Sequence, residues 1–215
     1  MKVWTVLRHV GTGLMMVAWA VAAHFTSASG EPSDWGAALA LAPLVMAAGM
    51  ALWRLKQRWL AALMALALAA LLVVYWPFLT SQVALLYYVQ HIGIYCLLAS
   101  FFWRSLSGPG ESLVTRLARR VHGGVLSPAQ AVYTRKVTLA WSLFFVGMAL
   151  VSTGLFFAAP LPVWSTFANL LGGPLIGVMF VGELIVRRIS LPNETRASLA
   201  ETVRAWRAHT SESDH

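Results

Sequence analysis

The chain has 215 residues, of which 59% are hydrophobic and 11% charged, and it carries a net charge of +8 at neutral pH. So little polar surface excludes a water-soluble globule of this length, and lipid has to solvate most of the chain. In a soluble protein such a charge would point to nucleic acid, but here the basic residues lie between apolar segments, where they meet lipid headgroups, and no nucleic-acid partner is expected.

Lys2 and Arg8 precede the first apolar segment, whose span is expected over 10–26. Ser27-Ala28-Ser29 after it has the small residues of a signal-peptide cleavage site, yet His24 interrupts the run and the segment is long enough to cross and stay. Further spans are expected over 35–53, 59–78, 83–103, 137–158 and 163–186, each near the ~20 residues that cross a bilayer core as a helix. All sixteen Lys and Arg residues fall at the amino end, in the second and fourth connections, or after the last span. The positive-inside rule then puts both termini in the cytoplasm. Tryptophans agree with this placement: Trp35, Trp76 and Trp164 would mark the outer interface, and Trp4, Trp53, Trp59, Trp103 and Trp141 the inner one. Residues 1–189 therefore read as a transmembrane domain and 190–215 as a cytoplasmic tail. The fold class is an all-α polytopic bundle of about six helices, with a cytoplasmic amphipathic helix and a short C-terminal helix.

The fourth connection opens on the helix-breaking Ser107-Gly108-Pro109-Gly110 and then turns amphipathic. Leu113, Leu117 and Val121 recur at helical spacing while Arg116, Arg119 and Arg120 cover another face, so this helix can lie in the headgroup plane; a solvated connector is the alternative. Gly123-Gly124 ends it. Ser127-Pro128-Ala129-Gln130 starts the next helix, with Ser as N-cap, Pro at the first position and Gln three residues after the cap. Running from 128 to 158, that helix would be ~46 Å long, so the turn bearing Tyr133, Arg135 and Lys136 should stand at or above the headgroups. After the last span, Pro192-Asn193 caps a tail helix in which Leu199, Val203 and Trp206 share a face and Glu201 can pair with Arg204. Two small-residue stripes, Ala61-Ala65-Ala69 and Gly173-Gly177, predict close packing within the chain in preference to dimerisation.

Chemistry is to be sought among polar groups at membrane depth, where an unpaired polar side chain is costly. Tyr88, His91 and Tyr95 follow i, i+3 and i+7 and line one stripe of the fourth span, with His91 roughly 13 Å below the outer end. A neutral imidazole there can relay a proton or hydrogen-bond a ligand, or it is simply held by a neighbouring helix. Asn169 and His24, near the outer ends of spans six and one, can meet. Glu183 stands four residues before Arg187, the order that favours a helical ion pair. Its alternative partners are Arg135, Lys136 and His122, with which it would form a polar mouth at the inner interface for a carboxylate or a thioester-linked acyl chain. His91 and Glu183 differ by roughly 10 Å or more in depth and should not form one acid–base pair.

Cys96 is the single cysteine, so neither a disulfide nor a Cys-based zinc site is available. No second His or carboxylate shares the His91 stripe, and no metal is expected. The chain has no Walker loop, no dinucleotide glycine pattern, no His-Glu-x-x-His and no Gly-x-Ser-x-Gly, so no cofactor and no catalytic residue are assigned.

Four groups of residues carry a family resemblance: Leu126-Ser-Pro-Ala-Gln-Ala-Val-Tyr-Thr-Arg-Lys-Val-Thr-Leu-Ala-Trp141 with Phe144-Phe145, then Leu161-Pro-Val-Trp-Ser165, Phe167-Ala-Asn169 and Phe180-Val-Gly-Glu183. On these the chain resembles a family of small uncharacterised inner-membrane proteins from gene clusters that make aryl-polyene or xanthomonadin-type pigments. The likeness covers roughly residues 90–192, including His91-x-Gly93 and Arg119-x-Val-His122-Gly123, and fades before Val83. It implies an accessory role near acyl-carrier-linked chains, their transfer to lipid or their export. Some members are labelled ketosynthase or gyrase subunit, but the catalytic Cys and His elements of the first and the ATP site of the second are missing here. The resemblance brings no established catalytic residue, so His91, Arg135, Trp141, Asn169 and Glu183 enter as matching positions only.

The expected function is that of a non-enzymatic scaffold or lipid-handling subunit of an acyl or aryl-polyene system, with membrane lipids and acyl-carrier or other biosynthetic proteins as partners. A transporter or flippase component, and a membrane enzyme acting on lipid-linked acyl chains, are the alternatives. Oligomeric state is not set by the sequence.

Overall fold

The computed structural model describes residues 2–121 and 126–191, with side chains over 7–120 and 126–191. Among these residues the regular elements are all helices: α1 Lys2–Ala28, α2 Asp34–Trp53, α3 Arg58–Ser81, α4 Val83–Ser107, α5 Leu113–Val121 and α6 Pro128–Ala158. They are followed by α7 Leu161–Ser165, a π-helical segment Thr166–Leu171, and α8 Gly172–Ser190. Six stretches are long and apolar enough to cross a bilayer, the sixth being Leu161–Ser190 as a whole. The chain is an all-α polytopic membrane protein. His122, the Gly123-Gly124 stop and the tail helix lie outside the described residues.

Local chemistry accounts for the helix starts. Ser33 caps α2 by accepting from the Gly36 N–H at 3.0 Å, with Asp34 in the first turn to complement the dipole. At α6 the expected capping box forms: the Gln130 N–H donates to Ser127 Oγ at 3.1 Å and the Ser127 N–H to Gln130 Oε1 at 3.0 Å. Gly110 enters α5 with φ of 124°, a conformation that excludes most side chains.

The chain divides into two compact units, one made by residues up to Tyr95 with Gly147–Pro174, the other by Cys96–Val146 with the residues from Leu175 on. The first is built on small residues. Ala23, Ala37, Ala40, Val83, Tyr87 and Trp164 form its buried cluster. At Gly36 an added Cβ would meet Val83 Cγ1 at 2.9 Å, so glycine sets how closely α2 approaches α4. Trp164 is fully buried within the protein and donates its indole N–H to Ser152 Oγ at 3.0 Å. A buried indole needs such a partner. Trp76 keeps a polar tie, to Asp34 Oδ1 at 2.8 Å, and joins α3 to the start of α2.

α3 itself buries no residue. Ala65 and Ala69 are therefore exposed, and Gly173 and Gly177 have nothing within 4 Å of an added Cβ. The expectation that both small-residue stripes pack within the chain is corrected here. The close contacts use Ala23, Ala37 and Ala40 instead.

In the second unit Trp141 is buried, with ring centroids 4.7 Å from Phe180, 5.5 Å from Phe145 and 6.3 Å from Phe102. A clasp of hydroxyls holds α5 to α6. Thr115 Oγ1 lies 2.7 Å from Ser112 Oγ and 2.8 Å from Thr134 Oγ1, and Thr138 Oγ1 lies 3.0 Å from Ser112 Oγ. The free amides at the start of α5 are satisfied by the same group of residues: Leu113 N–H donates to Ser105 Oγ at 3.1 Å and Val114 N–H to Thr138 Oγ1 at 3.3 Å. This leaves Leu117 60% exposed on the apolar side of the helix.

Candidate functional site

In the first unit α4 presents Tyr88, His91 and Tyr95 along one face, but the three find different surroundings. Tyr88 stacks on Phe156 at 4.2 Å and donates to Thr153 Oγ1 at 3.2 Å. His91 packs against Tyr95 at 4.6 Å and edge-on to Phe167 of the π segment at 6.1 Å. Its Nε2 is buried with no hydrogen-bond partner among the described residues. Tyr95 approaches the backbone at Gly172, where an added Cβ would stand 3.2 Å from the phenol oxygen.

Asn169 has its hydrogen bonds elsewhere. From the π segment its Nδ2 donates to Ser27 Oγ at 3.0 Å and to Ser165 Oγ at 3.2 Å. Ser165 Oγ lies 2.9 Å from His24 Nδ1 and 2.8 Å from Ser27 Oγ, and it donates to the His24 carbonyl at 3.0 Å. His24 and Asn169 thus meet through two serines that have no particular pattern in the sequence. A Ser–His contact invites comparison with a nucleophile and its base. Here Ser165 is fully buried, and its one proton and two lone pairs are all engaged. The cluster is an interlock between α1 and the last span. The π segment, which aims Asn169 back at α1, has no sequence signal.

In the second unit the polar mouth forms in part. Tyr133 donates to the Glu183 carbonyl oxygen at 3.1 Å and to its Oε1 at 3.2 Å. Of the two arrangements open to Glu183, the ion pair with Arg187 is not formed among the described residues, and the carboxylate turns to the phenol on α6. Lys136 and Glu183 line one cavity. Arg135 is directed away and donates to the Leu106 carbonyl at 3.1 Å. Tyr133, which the sequence placed near the headgroups without a role, is the residue that joins the mouth to α8.

Two grooves share Tyr133, Val137 and Glu183 as a common wall. The larger, about 910 Å³, runs between α6 and α8 past Val132, Lys136, Val178 and Met179. The smaller, about 560 Å³, is closed by Val114 and Leu117 of α5 and is lined by Phe102, Trp141 and Phe180, with Arg187 in its wall. Both volumes suit one small amphiphile, given the ~300–1,000 Å³ usual for ligand sites. The larger groove offers hydrocarbon along most of its length and one ammonium and one carboxylate. Such a lining suits a chain with a polar end, and its one hydroxyl beside a carboxylate is Tyr133, which donates to Glu183.

Among the described residues no three His, Cys, Asp or Glu side chains come together as metal ligands. No family model matches the chain, and no curated protein or solved structure matches it either.

Proposed function

We propose that this chain is a non-enzymatic inner-membrane accessory protein, with both termini in the cytoplasm, that handles acyl or aryl-polyene chains for a lipid-linked biosynthetic system, receiving them from acyl-carrier or other biosynthetic partners. The observation that carries this reading is the larger groove between α6 and α8: apolar along its length, with Lys136 available to an anionic end and Glu183 held by Tyr133. Native mass spectrometry of the purified full-length chain tests it. Acyl species should survive delipidation of the wild type and be lost from V132W and M179W, which fill the groove, while L66W on exposed α3 keeps them. Equal retention in all four proteins would overturn the reading.

A transporter or flippase component is the second reading, supported by the unpartnered His91 Nε2. It requires water along the α4 stripe. Cysteines placed at Tyr88, His91 and Tyr95 would then react with a membrane-impermeant thiol reagent, and protection of all three would remove this reading.

A further inference from the structure

We propose that the concavity formed by Glu111, Arg116, Arg119 and Arg120 binds the phosphate of an anionic membrane lipid. The site is separate from the chain-binding grooves and does not depend on that reading. Its about 310 Å³ are lined by these four side chains alone, three guanidiniums and one carboxylate. Glu111 holds Arg119 through two hydrogen bonds, one of them from Nε to Oε2 at 2.9 Å. Arg116 and Arg120 are exposed, and among the described residues the one salt bridge to Glu111 is made by Arg119, not by either of them. The concavity therefore keeps a net positive charge with fork-shaped donors, the geometry that suits phosphate oxygens.

Three features select a lipid over a soluble anion. α5 belongs to the connection between spans α4 and α6, so it is held at the membrane surface from both ends. The hydroxyl clasp to Thr134 and Thr138 fixes its rotation. Its other face, Val114, Leu117 and Ala118, is apolar and opens on the smaller groove, so the helix can rest in the interface with its arginines at headgroup level. Glu111 has a defined part in this. It competes with the incoming phosphate for Arg119 and so limits affinity.

The test uses the full-length chain in mixed micelles of phosphatidylcholine and phosphatidylglycerol, with retained lipid counted by native mass spectrometry. Each arginine near a membrane surface contributes about fivefold to anionic-lipid binding, so R116Q/R120Q should retain roughly 25-fold less phosphatidylglycerol, with phosphatidylcholine unchanged. E111Q should retain more than wild type. R116K/R120K, which keeps the charge and loses the fork, should fall between wild type and R116Q/R120Q and also controls for folding. Unchanged phosphatidylglycerol in R116Q/R120Q would overturn the proposal. So would excess inorganic phosphate stripping the lipid from wild type, because that outcome marks a soluble-anion site.

Discussion

The phenol of Tyr133 donates to both the main-chain carbonyl and the carboxylate of Glu183, at 3.1 and 3.2 Å, so one hydroxyl on α6 secures backbone and side chain of α8 together. Replacing it with phenylalanine should leave the ring in place and free the carboxylate. Hydrogen bonds between membrane helices contribute about 0.5–1.5 kcal/mol, and Y133F should lower stability by that much. E183Q keeps an accepting oxygen and should lose less. Thermal melting in detergent checks the pair, and a Y133F protein that melts with wild type would show that the bond is not formed.

Gly36 faces Val83 with no room for a methyl group. G36A should destabilise the first unit by about 1–3 kcal/mol, as overpacking does, and V83A in the same chain should restore part of the loss. The measurement is denaturation of single and double variants in micelles. Equal stability of G36A and wild type would mean that the two helices separate freely.

His91 carries a buried ring nitrogen with no hydrogen-bond partner among the described residues. Leucine there removes an unsatisfied polar atom, so H91L should gain about 1 kcal/mol in stability. A loss instead would mean that water or a ligand occupies the ring nitrogen in the bilayer.

The Arg119 hydrogen bond to Glu111, with the charges of Arg119 and Arg116, holds that carboxyl below the usual glutamate range. A carboxyl whose folded value is depressed contributes stability above its unfolded value and loses it as pH falls through the folded one. The protection of the α5 amides, taken relative to the intrinsic exchange rate at each pH, should therefore be high at neutral pH and fall in acid. The protection factors of E111Q should stay level over the same interval, and equally level wild-type factors would refute the coupling.

The apolar spans and the Ser127–Gln130 cap were legible because each depends on residues adjacent in the chain. Hydropathy and capping are local properties. The His24–Ser27–Ser165–Asn169 cluster was legible only at its ends, since serine in an apolar run has no periodicity and its partners lie more than a hundred residues away. The burial of Trp141 and Trp164 had no local signal for a different reason: an indole suits an exposed site and a core with one polar partner equally well, and Ser152, the partner of Trp164, is twelve residues away. Glu183 was read against charged partners, Arg187 on its own helix or Arg135, Lys136 and His122 elsewhere, whereas the group that meets it is the uncharged phenol of Tyr133.

α3 has the highest mean hydropathy of the six spans, 2.3, and no buried residue. With α2 as its neighbour and Trp76 as its polar tie, it answers to the insertion machinery more than to any shape in the protein. A shuffled α3 of equal oiliness would serve as well if Trp76 stayed, whereas a single aspartate at its centre would cost ~2.5–3.5 kcal/mol before folding began. Sequence drift should be freest there, so long as each exchange stays greasy.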